Sequence, residues 1–419
     1  MAIEQAARAA VAAVDGERLR RRHMAMAEIG AIADGGVNRQ ALSAEDIRAR
    51  ALLLEWAAAH GWQAAVDPIA NLFVRRPGRD PVAAPVVTGS HMDSQPAGGR
   101  FDGIFGVLAA LEAMEALEAA GIATRHPIDL VAWTNEEGGR FAPGAMGSAV
   151  FAGAMDLASC LELTDAAGIR LADALQATLA ATPGLARREF GFQVAAYLEP
   201  HIEQGPQLED TGHQIGVVTG IQGARWYVVE VTGEPGHAGT APLRGRKDAL
   251  RAAVRMIAAL QELMHDPDDR LRFTVGRLQV VPNSPNTVPA RVVFSIDFRH
   301  PEARVLDERG GCIEGVCRDS AGPCAITITE TFNRAPCVFP DAIVAAIERA
   351  AVLAGCRHTR MPSGAFHDAN FIADLAPTGM IFVPCAKGIS HSPAEYASAE
   401  DLAAGARVLA AALVELAGT

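Results

Sequence analysis

The chain lacks any cysteine pattern on which a covalent or thiolate framework could rest. Its seven cysteines, Cys160, Cys312, Cys317, Cys324, Cys337, Cys356 and Cys385, are odd in number and include no C-x-x-C pair. Neither a disulfide scaffold nor a cysteine-type zinc site is indicated, and free thiols in a reducing cytoplasm are expected. No stretch of about 18 apolar residues occurs, so no transmembrane helix is expected. The N-terminus has no positive patch followed by an apolar run, so no signal peptide is visible. A basic excess is missing too: 37 Lys and Arg face 49 Asp and Glu, for a formal net charge of −12. That balance argues against a nucleic acid or an anionic membrane as partner. It leaves a small anionic substrate open, because one arginine can capture a carboxylate. There is no internal repeat and no low-complexity linker.

A length of 419 residues exceeds one ordinary core, which predicts two domains. Residues 1–63 read as helices; Ser43 is placed to cap the stretch that Gly61 ends. Apolar strand-like runs then alternate with helices, as in "APVVTGSHMDS", "GVLAALEAMEALEAAG" and "HPIDLVAWTNEEG". This is the pattern of an α/β sheet with functional residues at strand ends. Near Gly216 the pattern changes. "RWYVVEVTGEPGHAG", "FTVGRLQVVPN", "RVVFSIDFRH" and "AITITETF" read as strands, with helices at about 245–265 and 302–320, predicting an antiparallel α+β insert. The expected fold is therefore a two-domain α/β protein. Its discontinuous catalytic domain, 1–215 and 331–419, is interrupted by a smaller α+β domain, 216–330.

Polar residues that carry chemistry gather at the ends of the apolar runs. In "GSHMDSQPAGGRFDG", His91 and Asp93 are two residues apart at a strand end. At that period both side chains leave one face, so Asp93 is expected to hold the second ring nitrogen of His91. Asp102 follows in a Gly-rich loop. "VAWTNEEGGRF" supplies Glu136 and Glu137, which point opposite ways on an extended segment. "YLEPHIEQGPQLED" supplies His201, Glu203 and Gln204. "IFVPCAKGISHSPAEYAS" supplies His391, and its "SPAE" reads as a helix start. Singly, each also reads as a polar strand-end residue satisfied by its neighbours. Together, His91, Asp102, Glu137, His201 and His391 form five N/O donors that suit zinc, manganese or cobalt. If Asp102 bridges, two ions about 3.5–4 Å apart would clamp one water, leaving Glu136 free as general base.

These strings, with "PGHAGTAPLRGRKDAL", "PNTVPARVVFSIDFR" and "PTGMIFVPCAKGISHSPAE", resemble the M20-type metallohydrolases, and within them the hydantoinase/carbamoylase amidases. The motifs run in order from residue 89 to 395. The resemblance implies a metal-binding catalytic domain, a smaller lid and dimerisation domain, and a homodimer. It implies one ion on His91 and His201, a second on Glu137 and His391, Asp102 between them, and Glu136 as general base. Zinc is the expected metal, with Mn, Co or Ni as alternatives. His237 matches a lid histidine that stabilises the oxyanion, Asn286 a lid substrate ligand, and Arg299 the arginine for the substrate carboxylate. Gln204, Gly364 and Ala365 match substrate-contacting positions. One string departs from the family: "SGAFHDAN" has Phe366 where a small residue is usual, which leaves the identity of the substrate open.

The activity implied is hydrolysis of the carbamoyl C–N bond of an N-carbamoyl amino acid to amino acid, carbon dioxide and ammonia. Allantoate or ureidoglycolate amidohydrolysis, and M20 peptidase or aminoacylase activity, are the enzyme alternatives. From another class comes a non-catalytic metal- or ligand-binding relative, against which the intact Glu136 and five donors speak.

Overall fold

The computed structural model describes residues 3–419. It forms two compact units, the discontinuous Met1–Gly220 with Val338–Thr419, and Ile221–Cys337.

The first unit is built on a ten-stranded mixed sheet. Its middle is four neighbouring parallel strands, in the order Thr378–Val383, Ala196–Ile202, Val86–His91, Ile128–Trp133. Every residue of these strands is buried. Coverage on both faces explains why they read as continuous apolar runs rather than alternating ones. Their carboxyl ends share one edge of the sheet. Leu72–Arg76 and Ile215–Ile221 flank this block, each antiparallel to its neighbour.

Helices Ile104–Ala119 and Ala399–Ala417 pack on one another and on the central strands. Both are alanine-rich and buried along almost their whole length, so helix and strand backbones approach closely. The acids of Ile104–Ala119 are neutralised where they are buried: Glu112 meets Arg18 and Glu115 meets Arg22, each at 2.7 Å. Ser43 caps Ala44–Ala58 by accepting the Asp46 N–H.

The expected run of helices over residues 1–63 is interrupted. From Gly30 to Ser43 the chain is irregular, because Gly30 takes φ +87° and Arg39 turns inward. The Arg39 guanidinium is buried and donates to the carbonyls of Met92, Met26 and Ile29. That length of chain wraps the loop after His91 instead of coiling.

The second unit is a five-stranded antiparallel sheet under two helices. Arg291–His300 pairs with Gly223–Thr232, Arg272–Thr274 and Leu278–Val281, and Gly223–Thr232 pairs in turn with Ala325–Arg334. Val292, Phe294, Ile296 and Phe298 face a core shared with Met256 and Leu260 of Ala249–Leu263 and Ile313 and Cys317 of Ala303–Ala321. The alternate residues Ser295, Asp297 and Arg299 are only partly covered, the pattern of a sheet with one packed face. "FTVGRLQVVPN" is two strands, not one. The chain leaves the ladder at Val275–Arg277, where Arg277 N–H bonds the Ser295 hydroxyl at 3.0 Å.

Candidate metal centre

The four parallel strands deliver the predicted donors to one edge. His91 ends its strand and His201 is the penultimate residue of Ala196–Ile202. Glu136 and Glu137 follow Ile128–Trp133, and His391 follows Thr378–Val383. Asp102 comes from the glycine-rich loop leading into Ile104–Ala119.

Donor atoms of His91, Asp102 and His201 lie within 4.8 Å of one another, and so do those of Asp102, Glu137 and His391. Asp102 belongs to both groups and divides its oxygens between them. Oδ1 is 3.1 Å from His201 Nε2 and 3.7 Å from His91 Nε2, while Oδ2 is 3.4 Å from His391 Nε2. His391 Nε2 is also 3.2 Å from Glu137 Oε2. Glu136 is in neither group, with Oε2 3.5 Å from His91 Nε2.

The backbone sets the histidine tautomers. Nδ1 of His91 bonds the Asp93 carbonyl at 3.0 Å, and Nδ1 of His201 bonds the Ile202 carbonyl at 2.9 Å. A carbonyl can only accept, so each Nδ1 bears a proton and each Nε2 faces the cluster, bare in the neutral His91 and protonated toward Asp102 in His201 while no ion is bound. This corrects the expected role of Asp93. The strand ends at His91 and the chain turns, so the period-of-two rule does not carry the Asp93 side chain to the ring; its Oδ1 is 3.8 Å from Nδ1. Its carboxylate instead accepts the main-chain N–H groups of Glu136 and Glu137, each at 3.2 Å. Asp93 therefore holds the imidazole through its main-chain carbonyl, while its carboxylate steadies the paired acids.

The electrostatics show carboxylates crowded around few cations: against burial, Asp102 raises His201 to about 9, and it raises His391 to about 9 as well. Burial, with Asp368, Glu137, Asp93 and Asp102 nearby, raises the Glu136 carboxyl well above its usual range. Burial and Asp102 push Glu137 up to about 8 against the pull of His391. Burial pushes His91 down to about 4 and keeps it neutral. Asp102 alone stays well below the usual range, because hydrogen bonds from His201 and His391 outweigh its burial. Several buried carboxylates in mutual repulsion beside a neutral imidazole are what a bound divalent ion would relieve. The donor set of three imidazoles and two carboxylates fits such an ion.

Of the other expected residues, Gln204 lies at the cluster, donating to Asp102 Oδ2 at 2.8 Å. Glu203 turns away and accepts the Gln207 and Leu208 N–H groups at 2.8 Å. Gly364 and Ala365 follow the strand His358–Ser363, where the Ser363 hydroxyl accepts the Ala365 N–H. Phe366 packs edge-on to Phe371, and the next ring, His367, is buried against His201. His237, Asn286 and Arg299 belong to the second unit. The strands Gly236–His237 and Thr287–Val288 pair, and the Ala238 N–H donates to the Asn286 carbonyl, so His237 and Asn286 are neighbours. Arg299 engages Asp297, two residues back on the same face, through two bonds of 3.0 and 2.9 Å.

Two residues at the cluster escaped the motif reading. Gln95 donates from its main chain and side chain to Glu137, at 3.2 and 2.8 Å. Glu395 lies in "SPAE", which has the look of a helix start, yet the helix begins at Ala399 under a Ser398 cap. Glu395 is instead drawn inward to the Asp102 loop. The only sequence signal for either was its position inside a motif already singled out.

A profile of peptidase family M20/M25/M40 matches residues 87–415. The chain belongs to this family. An N-carbamoyl-L-amino-acid amidohydrolase of Rhizobium meliloti is 40% identical over 96% of this chain and 97% of its own. An allantoate amidohydrolase of Bacillus subtilis is 35% identical over 94% of this chain and 95% of its own. Among solved structures, a hydantoinase/carbamoylase family amidase of Burkholderia multivorans superposes with a TM-score of 0.89 at 45% identity, covering 96% of this chain and 98% of that one. Like these relatives, this M20-family protein is a hydrolase of the amidase type, with candidate metal-binding residues at the edge of its larger sheet.

Proposed function

We propose that this M20-family protein is a metal-dependent amidohydrolase that splits the carbamoyl C–N bond of N-carbamoyl amino acids. The observation that carries the reading is the shared Asp102, one oxygen toward His91 and His201 and the other toward His391. The name of the Rhizobium meliloti relative supplies the substrate class.

His91 and His201 would hold one divalent ion, Glu137 and His391 a second, and Asp102 both. Zinc is our choice, with Mn, Co or Ni served by the same donors. When bound, the ions supply Lewis acidity toward the carbamoyl oxygen and lower the pKa of a water. Glu136, which belongs to neither donor group, takes a proton from the water that adds to the carbamoyl carbon, then delivers it to the departing amino nitrogen. The C–N bond breaks, the amino acid leaves, and the carbamic acid decomposes to carbon dioxide and ammonia. Asp93 and Gln95 hold the two glutamates in register. We assign His237 to the developing oxyanion, Arg299 to the substrate carboxylate, and Asn286, Gln204, Gly364 and Ala365 to substrate contacts.

We further propose a cytoplasmic homodimer. The seven cysteines are all free, and the strand Ala325–Arg334 is an exposed edge of the second sheet. Among the described residues no helix is long and apolar enough to cross a membrane.

Release of ammonia and of free amino acid by metal-reconstituted protein tests the reading, over a panel of N-carbamoyl α-amino acids, N-carbamoyl-β-alanine, allantoate and dipeptides. Ammonia and free amino acid are expected from carbamoyl amino acids. Turnover of allantoate alone would favour the reading that the Bacillus subtilis relative carries, and turnover of dipeptides alone would overturn both.

A further inference from the structure

Glu395 supplies no donor to either group, yet it is 1% exposed and both of its oxygens are engaged. Oε1 accepts the Phe101 N–H at 2.8 Å and the Asp102 N–H at 3.0 Å, and Oε2 pairs with the Ser390 hydroxyl at 3.0 Å. Ser390 Oγ is also 2.8 Å from Asp102 Oδ2. Gly99 lies so close over the carboxylate that a Cβ there would come within 2.0 Å of Glu395 Cδ. Glu395 lies four positions after His391. One side chain thus ties the backbone that carries His391 to the backbone that carries Asp102. It also satisfies two buried main-chain donors of a loop with no helix or sheet to take them.

We propose that Glu395 is a positioning residue for metal capture. It clamps the Asp102 loop to the His391 segment, so that the shared carboxylate and His391 stand at ligating separation before an ion arrives. This rests on the reading of Asp102 and His391 as metal ligands. Outer partners that orient ligands are worth about 10–100-fold in metal affinity.

The test uses full-length protein stripped with a chelator and then titrated with Zn²⁺ against a chromophoric competitor, and with Co²⁺ by visible absorption. The melting temperature of each stripped protein is measured alongside. Glu395→Ala should weaken Zn²⁺ binding about 10–100-fold and alter the Co²⁺ spectrum. Glu395→Gln keeps a carbonyl oxygen for both N–H groups and should recover most of that loss, which a filler of space alone would not do. Gly99→Ala pushes the carboxylate aside without removing it and should follow Glu395→Ala. Should Glu395→Ala fail to fold, the glutamine and Gly99→Ala variants carry the test. Affinity within about twofold of the parent in Glu395→Ala or Gly99→Ala, or no recovery in Glu395→Gln, overturns the proposal. A parent that takes up no Zn²⁺ overturns the metal reading itself, and the role of Glu395 with it.

Discussion

Replacing His23 with leucine should remove part of the protein's sensitivity to acid. The His23 ring is 1% exposed and lies 5.5 Å from the Phe101 ring and 6.2 Å from the Phe105 ring, centroid to centroid. Burial pushes its pKa from 6.5 down to about 3, with the Arg100 main chain opposing and the Arg39 cation adding to the shift. A lowered histidine works against the fold in acid. The unfolded chain takes up this proton below about pH 6.5 and the folded chain not until about pH 3, so stability is whole above that window and falls through it. At about pH 5 the unfolded state gains about 1.5 units of binding that the folded state lacks, or about 2 kcal/mol at about 1.4 kcal/mol per unit. Urea unfolding of parent and His23→Leu at about pH 7 and about pH 5 isolates this contribution, because titrations common to both proteins cancel. The parent should lose about 2 kcal/mol more than the variant. Parallel losses would refute the reasoning. Phe101 adjoins Asp102, so the acid-labile packing lies directly behind the proposed shared ligand.

Three further outcomes are expected. Glu136→Gln should lower turnover at least about 100-fold while Zn²⁺ uptake stays within a few-fold of the parent, as read by ammonia release and metal titration; surviving turnover would remove Glu136 as the base. Gly103 sits at φ +65°, and a Cβ there would come 2.2 Å from the His91 ring. Gly103→Ala should therefore cost about 1–2 kcal/mol in backbone strain alone and weaken metal binding besides, and an unchanged melting temperature would contradict this. Arg299→Ala should lower kcat/KM for a carbamoyl amino acid about 10–150-fold, mainly through KM, the loss of a charge-assisted pair worth about 1.5–3 kcal/mol; an unchanged KM in steady-state kinetics would free Arg299 from the carboxylate.

What the sequence could and could not disclose follows from the range of each interaction. The central strands were visible because both of their faces are covered, which turns each into an unbroken apolar run. The donors were visible because parallel strands with a common polarity must present their ends together. The misreadings arose where a local rule met a distant partner. "SPAE" has the composition of a helix start, but the N–H groups that claim Glu395 belong to residues almost three hundred positions earlier. Asp93 has the spacing to reach His91, but the strand stops first, so its carbonyl meets the ring while Glu136 and Glu137 take its carboxylate oxygens. The single strand expected around Gly276 breaks because Ser295, on the opposite strand, captures the Arg277 N–H. Arg39 lies in a stretch of helix-like composition, and only the carbonyls it reaches explain why that stretch does not coil.

The chain leaves the larger sheet at the end of Ile215–Ile221 and rejoins it with Cys337–Val338, after which the Phe339 N–H donates to the Thr219 carbonyl at 3.0 Å. Exit and re-entry are thus stapled side by side on one edge of the host. An excursion with abutting ends leaves no gap for the host to span, so closing the host's ladder carries little of the entropy cost that a long open loop would impose. A short turn in place of the whole excursion would bridge the same two backbone atoms.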